Sequence, residues 1–152
     1  MQFVIVQQQD TQLIDQISSA LHQEWATLTP WSDISIIKER LFSRSHIDNP
    51  QILSCFVDEH GQLLACASII LHELPDVSGA QWWLGEVLTI PPARGRKIGT
   101  KLIEQLYQYY HRFNIAPLYL YTPDMQALYR QMGWEDAEQR LVNGEWVTVM
   151  KR

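Results

Sequence analysis

The sequence predicts an α+β fold in which about four helices flank a mixed, mostly antiparallel twisted sheet of about seven strands. Short segments rich in β-formers alternate with segments whose apolar residues recur at helical spacing. In two places, strand-like segments follow each other without an intervening helix, once in the middle of the chain and once at its end. This order is typical of helices packed as a layer on one sheet.

The N-terminal segment predicts one strand and one helix. Residues 3–6 are a short β-rich run. Asp10 or Thr11 can cap the following helix, whose apolar stripe extends to Trp25. Pro30 ends this stretch because proline cannot continue a helical hydrogen-bond ladder.

A second helix and two strands follow. Ser32 and Asp33 offer a helix start before apolar residues that recur through Phe42. Residues 52–57 and 63–71 are two apolar strands, and the turn between them ends in a glycine that suits a tight hairpin.

The centre of the chain predicts a strand, a loop and a long helix. Residues 75–79 are a loop, and residues 82–90 are a strand that Pro91 and Pro92 terminate. Apolar residues at helical spacing then predict a long amphipathic helix that begins in the Arg/Gly segment and continues to Tyr110.

The last elements are a strand, a short helix and a hairpin. Residues 118–121 are strong β-formers, and Pro123 can occupy the first turn of a helix that runs through Gln131 and stops at Gly133. The Asn-Gly pair at residues 143–144 predicts the turn of a terminal hairpin. Trp146 on this hairpin is a candidate for the edge of a homodimer.

Length and composition predict one domain with no linker. The chain has 152 residues, 46% hydrophobic and 19% charged, and its net charge of −5 argues against binding to nucleic acid or an anionic membrane. Cys55 and Cys66 lack the spacing of a zinc site, so we expect buried free thiols and no metal. The N-terminus has no secretion signal and no run is long enough to span a membrane, which predicts a cytoplasmic protein.

The segment between the fourth strand and the long helix has the chemistry of an anion-binding loop. Four cations, Arg94, Arg96, Lys97 and Lys101, lie close together beside two glycines. The first turn of a helix has unpaired amides and the positive end of the helix dipole. The segment fits neither the nucleotide P-loop, because Gly99 is followed by threonine, nor the three-glycine dinucleotide fingerprint.

Residues 94–99, Arg-Gly-Arg-Lys-Ile-Gly, resemble motif A of the GNAT N-acetyltransferases, Gln/Arg-x-x-Gly-x-Gly/Ala. Lys97 stands where that family usually has its first patterned glycine. Residues 128–134, Leu-Tyr-Arg-Gln-Met-Gly-Trp, are similar to the family's Leu-Tyr-x-x-x-Gly-Phe signature at the expected distance. The resemblance implies the acyl-CoA N-acyltransferase fold and acetyl-CoA as co-substrate.

By this resemblance, the Val87 amide polarises the thioester carbonyl, Thr89 pairs with pantetheine and the loop holds the pyrophosphate. Thr122 stands where the family often has an asparagine that contacts the cofactor. The implied cofactor-binding residues are Val87, Leu88, Thr89, Arg94, Gly95, Arg96, Lys97, Ile98, Gly99, Thr100 and Thr122.

Tyr129 is the candidate acid, because a phenol is protonated at neutral pH and can donate to a thiolate; its other interpretation is a helix tyrosine packed on the core. Glu86 is the candidate base, although strand alternation leaves open whether it faces the site or forms an ordinary strand contact. The acceptor pocket is expected from His22, Trp25 and Trp31 on the first two helices and their connection.

These residues predict an N-acetyltransferase that moves the acetyl group of acetyl-CoA to a primary amine by direct attack in a ternary complex. The acceptor is a small molecule or a peptide, and no covalent enzyme intermediate is needed. The alternative is a sensor or interaction module that binds acetyl-CoA on the same fold without turnover.

Overall fold

A computed structural model describes residues 1–152 and contains seven strands and four helices. In chain order these are β1 (Gln2–Ile5), α1 (Thr11–Trp25), α2 (Ile34–Arg44), β2 (Ile52–Val57), β3 (Leu63–Leu71), β4 (Trp82–Thr89), α3 (Ile98–His111), β5 (Leu118–Thr122), α4 (Gln126–Gln131), β6 (Glu135–Val142) and β7 (Glu145–Lys151). Single 3-10 turns lie at Thr29–Trp31 and Pro91–Ala93. The predicted α+β class is confirmed.

All seven strands form one sheet in the order β1-β2-β3-β4-β5-β7-β6. Every neighbouring pair is antiparallel except β4 and β5, which are parallel. The sheet is therefore mixed and mostly antiparallel, as predicted. The Asn143-Gly144 turn has positive φ at both residues, which is the geometry that joins two strands through a two-residue hairpin.

The parallel pair at the centre of the sheet separates soon after it begins. β4 and β5 are paired only at Trp82 with Leu118 and at Trp83 with Tyr119. Further along, β4 carries a bulge in which Glu86 and Val87 stand opposite the single residue Ala67 of β3, and Glu86 has a φ of +51°. The divergence opens a wedge between β4 and β5 on the C-terminal side of both strands.

The predicted starts of α1 and α2 are confirmed in position, and the predicted start of α4 is wrong. The Asp33 side chain caps α2 by accepting from the amides of Ser35 and Ile36. Asp10 is the N-cap residue of α1, but its side chain makes no capping hydrogen bond, because its carboxylate accepts from the Gln7 amide instead. Pro123 is not in the first turn of α4: the Thr122 hydroxyl accepts from the Met125 amide at 3.0 Å, and the helix starts only at Gln126.

Each face of the sheet carries one helical layer and its own hydrophobic core. α3 packs on one face through Leu102 and Leu106, while α1 and α2 pack on the other through residues such as Leu21 and Leu41, all fully buried. Burial of this kind stabilises the fold by about 25 cal/mol for each Å² of apolar surface removed from water. The two layers thereby fix both sides of the wedge.

Cys55 and Cys66 are free and buried in the core beneath α1 and α2, as predicted. Burial raises the pKa of the Cys55 thiol to about 12 and also raises that of Cys66, so both stay protonated. No helix has both the length and the apolar character needed to cross a membrane. Trp146 is 68% exposed on β7; the homodimer stays a prediction.

Candidate active site

The loop before α3 presents a row of unused backbone donors. The six amides from Gly95 to Thr100 donate to no group of the protein. Gly95 has a φ of +80° and Lys97 a φ of +59°, and these left-handed residues turn the chain into the helix. The positive end of the helix dipole adds to the same site, which is therefore built to bind an anion.

The cations around this loop differ in whether they are paired with a carboxylate of the protein. Arg94 donates through Nε to the Thr89 carbonyl at 2.9 Å and through its guanidinium to Glu24 at 3.0 Å. Arg94 therefore ties α1 to the end of β4, and its charge is already paired. Arg96 and Lys97 are exposed and make no ion pair, so they supply the unpaired positive charge beside the loop.

A cleft of about 400 Å³, the loop cleft, lies between this loop, the end of β4 and α4. It brings together most of the residues predicted to hold the cofactor: Val87, Leu88, Thr89, Arg94, Gly95, Lys97, Ile98, Gly99 and Thr100. Arg96 and Thr122 do not line it. A Cβ on Gly99 would lie 2.8 Å from the Thr89 hydroxyl, so the absence of a side chain lets β4 and α3 meet at the cleft floor.

A second cleft of about 450 Å³, the acidic cleft, occupies the wedge between β4 and β5. Five carboxylates line it and no lysine, arginine or histidine does; they are Glu24, Glu73, Glu86, Asp124 and Glu145. Trp25 and Trp31 form one wall, with ring centroids 5.1 Å apart. Glu86 and Glu24 are paired with arginines outside this lining, so the unpaired negative charge that suits a cation comes mainly from Asp124 and Glu145.

The two clefts meet at Tyr129. Tyr129, Val87, Trp25, Glu24 and Met125 line both of them. The Tyr129 ring is buried, and its hydroxyl bonds no protein group, unlike that of Tyr110, which donates to the Ala116 carbonyl. Burial raises the pKa of Tyr129 to about 12, and the nearby Asp124 charge adds to the effect. A protonated phenol therefore stands at the point where the two clefts join.

Glu86 is buried on the bulge of β4 with both carboxylate oxygens occupied. Oε1 accepts from Arg44, while Oε2 accepts from Trp31 at 3.1 Å and from Arg40 at 3.4 Å. Burial alone would raise the pKa of Glu86, but Arg44 and Arg40 bring it below its ordinary value. The carboxylate is charged and joins Trp31 and α2 to the sheet. Its predicted role as the base stays a prediction.

Two further predicted site residues have structural partners. The Thr122 hydroxyl accepts from the amides of Asp124 and Met125, and Thr122 lines the acidic cleft rather than the loop cleft. His22 contacts the Trp31 carbonyl through Nδ1 at 2.9 Å and lines neither cleft. Of the predicted acceptor residues, Trp25 and Trp31 reach the acidic cleft and His22 does not.

Glu73 is a site residue that the sequence did not indicate. It lies just after β3, in a segment whose only signal is the turn at Pro75. Its Oε2 is buried without a hydrogen-bond partner and packs on Gly85, where a Cβ would lie only 2.6 Å away. Burial, followed by the charge of Glu86, raises the pKa of Glu73 to about 8.

Comparisons with known proteins agree with this architecture. An aminoglycoside 6'-N-acetyltransferase complexed with coenzyme A superposes with a TM-score of 0.77 at 18% identity, over 100% of this chain and 96% of that one. A ribosomal-protein-alanine N-acetyltransferase from Brucella melitensis gives 0.74 at 17%, over 100% and 99%. A spermidine N-acetyltransferase chimera that includes the Vibrio cholerae protein gives 0.71 at 17%, over 99% and 93%. Among curated proteins, none matches the sequence.

The sequence also matches the model of the acetyltransferase (GNAT) family over residues 14–134, which is most of the chain. The loop cleft described above is contained in this range. The chain belongs to the acetyltransferase (GNAT) family, so it is an acyltransferase and acetyl-CoA is its co-substrate.

Proposed function

We propose that this chain transfers the acetyl group of acetyl-CoA to a primary amine of a small cationic acceptor, by direct attack in a ternary complex. The observation that carries the proposal is the junction of two unlike clefts at Tyr129 and Val87. One cleft offers unpaired amides and cations for an anion, and the other offers carboxylates for a cation.

The loop cleft receives acetyl-CoA. The amides of residues 95–100 bind the pyrophosphate, and Arg96 and Lys97 add charge. Thr89 pairs with the pantetheine arm, and the Val87 amide donates to the thioester carbonyl. The position of Val87 on the bulge, where β4 and β5 have separated, supports this assignment. A donor aimed at the developing oxyanion stabilises the transition state more than the ground state.

Tyr129 protonates the departing thiolate. Its place at the junction of the clefts and its pKa of about 12 support this role, because the phenol carries its proton at neutral pH. We expect Tyr129→Phe to lower kcat about 100-fold while leaving acetyl-CoA affinity within about twofold. The matched control is Tyr109→Phe, because Tyr109 is a half-buried tyrosine of α3 that lines neither cleft. An unchanged kcat in Tyr129→Phe across pH would remove Tyr129 from this role.

The acceptor is cationic because two of the five carboxylates that line the acidic cleft, Asp124 and Glu145, make no ion pair with the protein, whereas Glu86 and Glu24 are paired with arginines. The exposed carboxylates of Asp124 and Glu145 attract a second positive charge on the acceptor, and the Trp25 ring in the wall of the cleft favours a cation as well. Aminoglycosides and spermidine, named for two structural neighbours, are polycations of this kind.

The test measures release of the coenzyme A thiol from acetyl-CoA with a panel of amines. Spermidine and an aminoglycoside represent polycations, an alanine-terminated peptide represents a protein N-terminus, and benzylamine represents a monoamine. We expect kcat/KM to be at least tenfold higher for a polycation than for benzylamine, and to fall as ionic strength rises. Equal rates for benzylamine would contradict the cationic acceptor, and no thiol release with any amine would contradict acetyl transfer to amines.

A further inference from the structure

The proposed reaction needs a group that removes a proton from the acceptor, because an alkyl ammonium with a pKa of about 10 has no lone pair for attack at neutral pH. Five carboxylates line the acidic cleft. Glu86 is saturated by Arg44, Arg40 and Trp31, and Glu24 is paired with Arg94. These two are therefore committed to protein partners.

The remaining three differ in exposure. Asp124 and Glu145 are exposed at the mouth of the cleft, where water screens their charge. The Glu73 carboxyl group lies deeper, against Gly85 of β4, and its Oε2 is buried without any partner in the protein. A buried oxygen without a donor costs the free energy of a lost hydrogen bond. A bound ammonium group that donated to this oxygen would recover that free energy.

Gly85 lies two positions before Val87, the residue whose amide we assign to the thioester carbonyl. Glu73, Gly85 and Val87 all line the acidic cleft, so a carboxyl group over Gly85 faces the cleft in which the acceptor approaches Val87. We propose that Glu73 is the residue that takes the proton from the acceptor ammonium group. This inference rests on the proposed acetyl transfer and names a residue that the sequence motifs do not contain.

The groups that face Glu73 bring its pKa into the range of a general base. Burial is the largest influence and raises its pKa, and the Glu86 charge raises it further; Arg44, Arg40 and the Tyr121 hydroxyl lower it in part. The resulting pKa of about 8 is close to that of the ammonium group, which makes the proton transfer far easier than transfer to an ordinary carboxylate. Enough of the group is ionised near neutral pH to act.

The proposed reaction consumes one ammonium and one thioester, and every proton has an acceptor. The ammonium gives one proton to the Glu73 carboxylate, and the freed lone pair forms the C–N bond with the thioester carbon. The C–S bond then breaks, and the thiolate takes the Tyr129 proton. The phenolate recovers a proton from the nitrogen of the former amine, and Glu73 releases its proton to solvent. The products are an acetamide, the free thiol and one proton.

The experiment measures kcat and KM as functions of pH for the wild type and for Glu73→Gln, with spermidine and acetyl-CoA. We expect kcat/KM of the wild type to rise through pH 8, and we expect Glu73→Gln to lose about 100-fold in kcat at pH 7.5. In the variant, the pH at which kcat/KM rises should move towards the pKa of the amine itself, about 10, because only the neutral amine then reacts.

Two further variants separate this role from folding and from simple binding. Glu59→Gln, on the exposed β2–β3 turn, is the matched control and should keep the wild-type profile. Gly85→Ala leaves Glu73 in the chain but forces its carboxyl group aside, and should reproduce the loss in kcat. Calorimetric binding of acetyl-CoA confirms that each variant is folded.

The outcomes are distinguishable. The inference is overturned, and the proposed function left intact, if the Glu73→Gln enzyme keeps the wild-type kcat together with the increase of kcat/KM near pH 8. A variant in which only KM is raised has the same consequence. Failure of the wild type to release thiol with every amine overturns the proposed function and the inference with it.

Discussion

The loop cleft and the acidic cleft adjoin each other at Tyr129, but they are built in opposite ways. The loop cleft binds through main-chain amides of consecutive residues, so its chemistry depends on the path of the backbone. The acidic cleft binds through side chains from α1, the β3–β4 connection, β4, the segment after β5, and β7. A backbone site tolerates departures in side chains, whereas a side-chain site changes its ligand with each substitution.

The largest expected effect tests the buried ion pairs that form the floor of the acidic cleft. Glu86→Gln leaves Arg44, only 5% exposed, without its countercharge, and should lower the free energy of unfolding by about 3–5 kcal/mol. Urea denaturation at pH 7 measures this. Because the folded-state pKa of Glu86 is lowered, the wild type should lose this stabilisation as pH falls through that pKa.

The control for Glu86 is a double variant, Glu86→Leu with Arg44→Met, which replaces the pair by apolar groups and should recover most of the lost stability. A single Glu86→Gln variant as stable as the wild type would mean that these cations are satisfied elsewhere. Glu86 would then be free to act on the acceptor, and the contrast with Glu73 would disappear.

A smaller effect tests the close approach of β4 and α3 in the loop cleft. Gly99→Val places a branched side chain at the cleft floor, against a Thr89 hydroxyl only 2.8 Å from where its Cβ would lie. We expect about tenfold weaker binding of acetyl-CoA, or about 1.4 kcal/mol, by calorimetry. The smaller substitution, Gly99→Ala, should weaken the binding of acetyl-CoA less. Equal affinity for all three proteins would show that the ligand does not reach this floor.

The smallest effect tests the tolerance of the backbone site. Lys97 has a φ of +59°, a left-handed conformation that costs a non-glycine residue about 1 kcal/mol. Lys97→Gly should therefore raise the free energy of unfolding by about 1 kcal/mol in urea denaturation. Lys97→Ala keeps the strain and removes the same charge, so it should give no increase. An equal gain in both variants would assign the effect to charge instead.

The parts of this site that sequence reasoning found are those coded by neighbouring residues. Arg94 to Thr100 could be recognised because a strand, a glycine-containing turn and a helix start occur in one short stretch. Tyr129 could be found through its local signature. Glu73 could not, because its importance arises only when the β3–β4 connection folds over Gly85 and buries the carboxyl group.

The same limit explains the placements that differ from expectation. Arg94 was expected to serve the anion site, yet its guanidinium is paired with Glu24, which is distant in sequence. His22 was expected in the acceptor pocket, but its Nδ1 contacts the Trp31 carbonyl and it does not line the cleft. In both cases the sequence indicated a polar residue, but the group that it contacts, Glu24 for Arg94 and the Trp31 carbonyl for His22, belongs to another segment of the chain.

The sequence alone determined the α+β class, the seven strands and four helices, and the anion-binding loop, because apolar periodicity, turn residues and unpaired helix amides are local properties of the chain. Only the tertiary structure decided the wedge between β4 and β5, the pairing of both Glu86 oxygens and the burial of Glu73 with its Oε2 atom left without a hydrogen-bond donor. The physical reason is that burial and charge pairing are set by contacts between segments far apart in the chain, and these contacts alone raise one carboxyl pKa and lower the other.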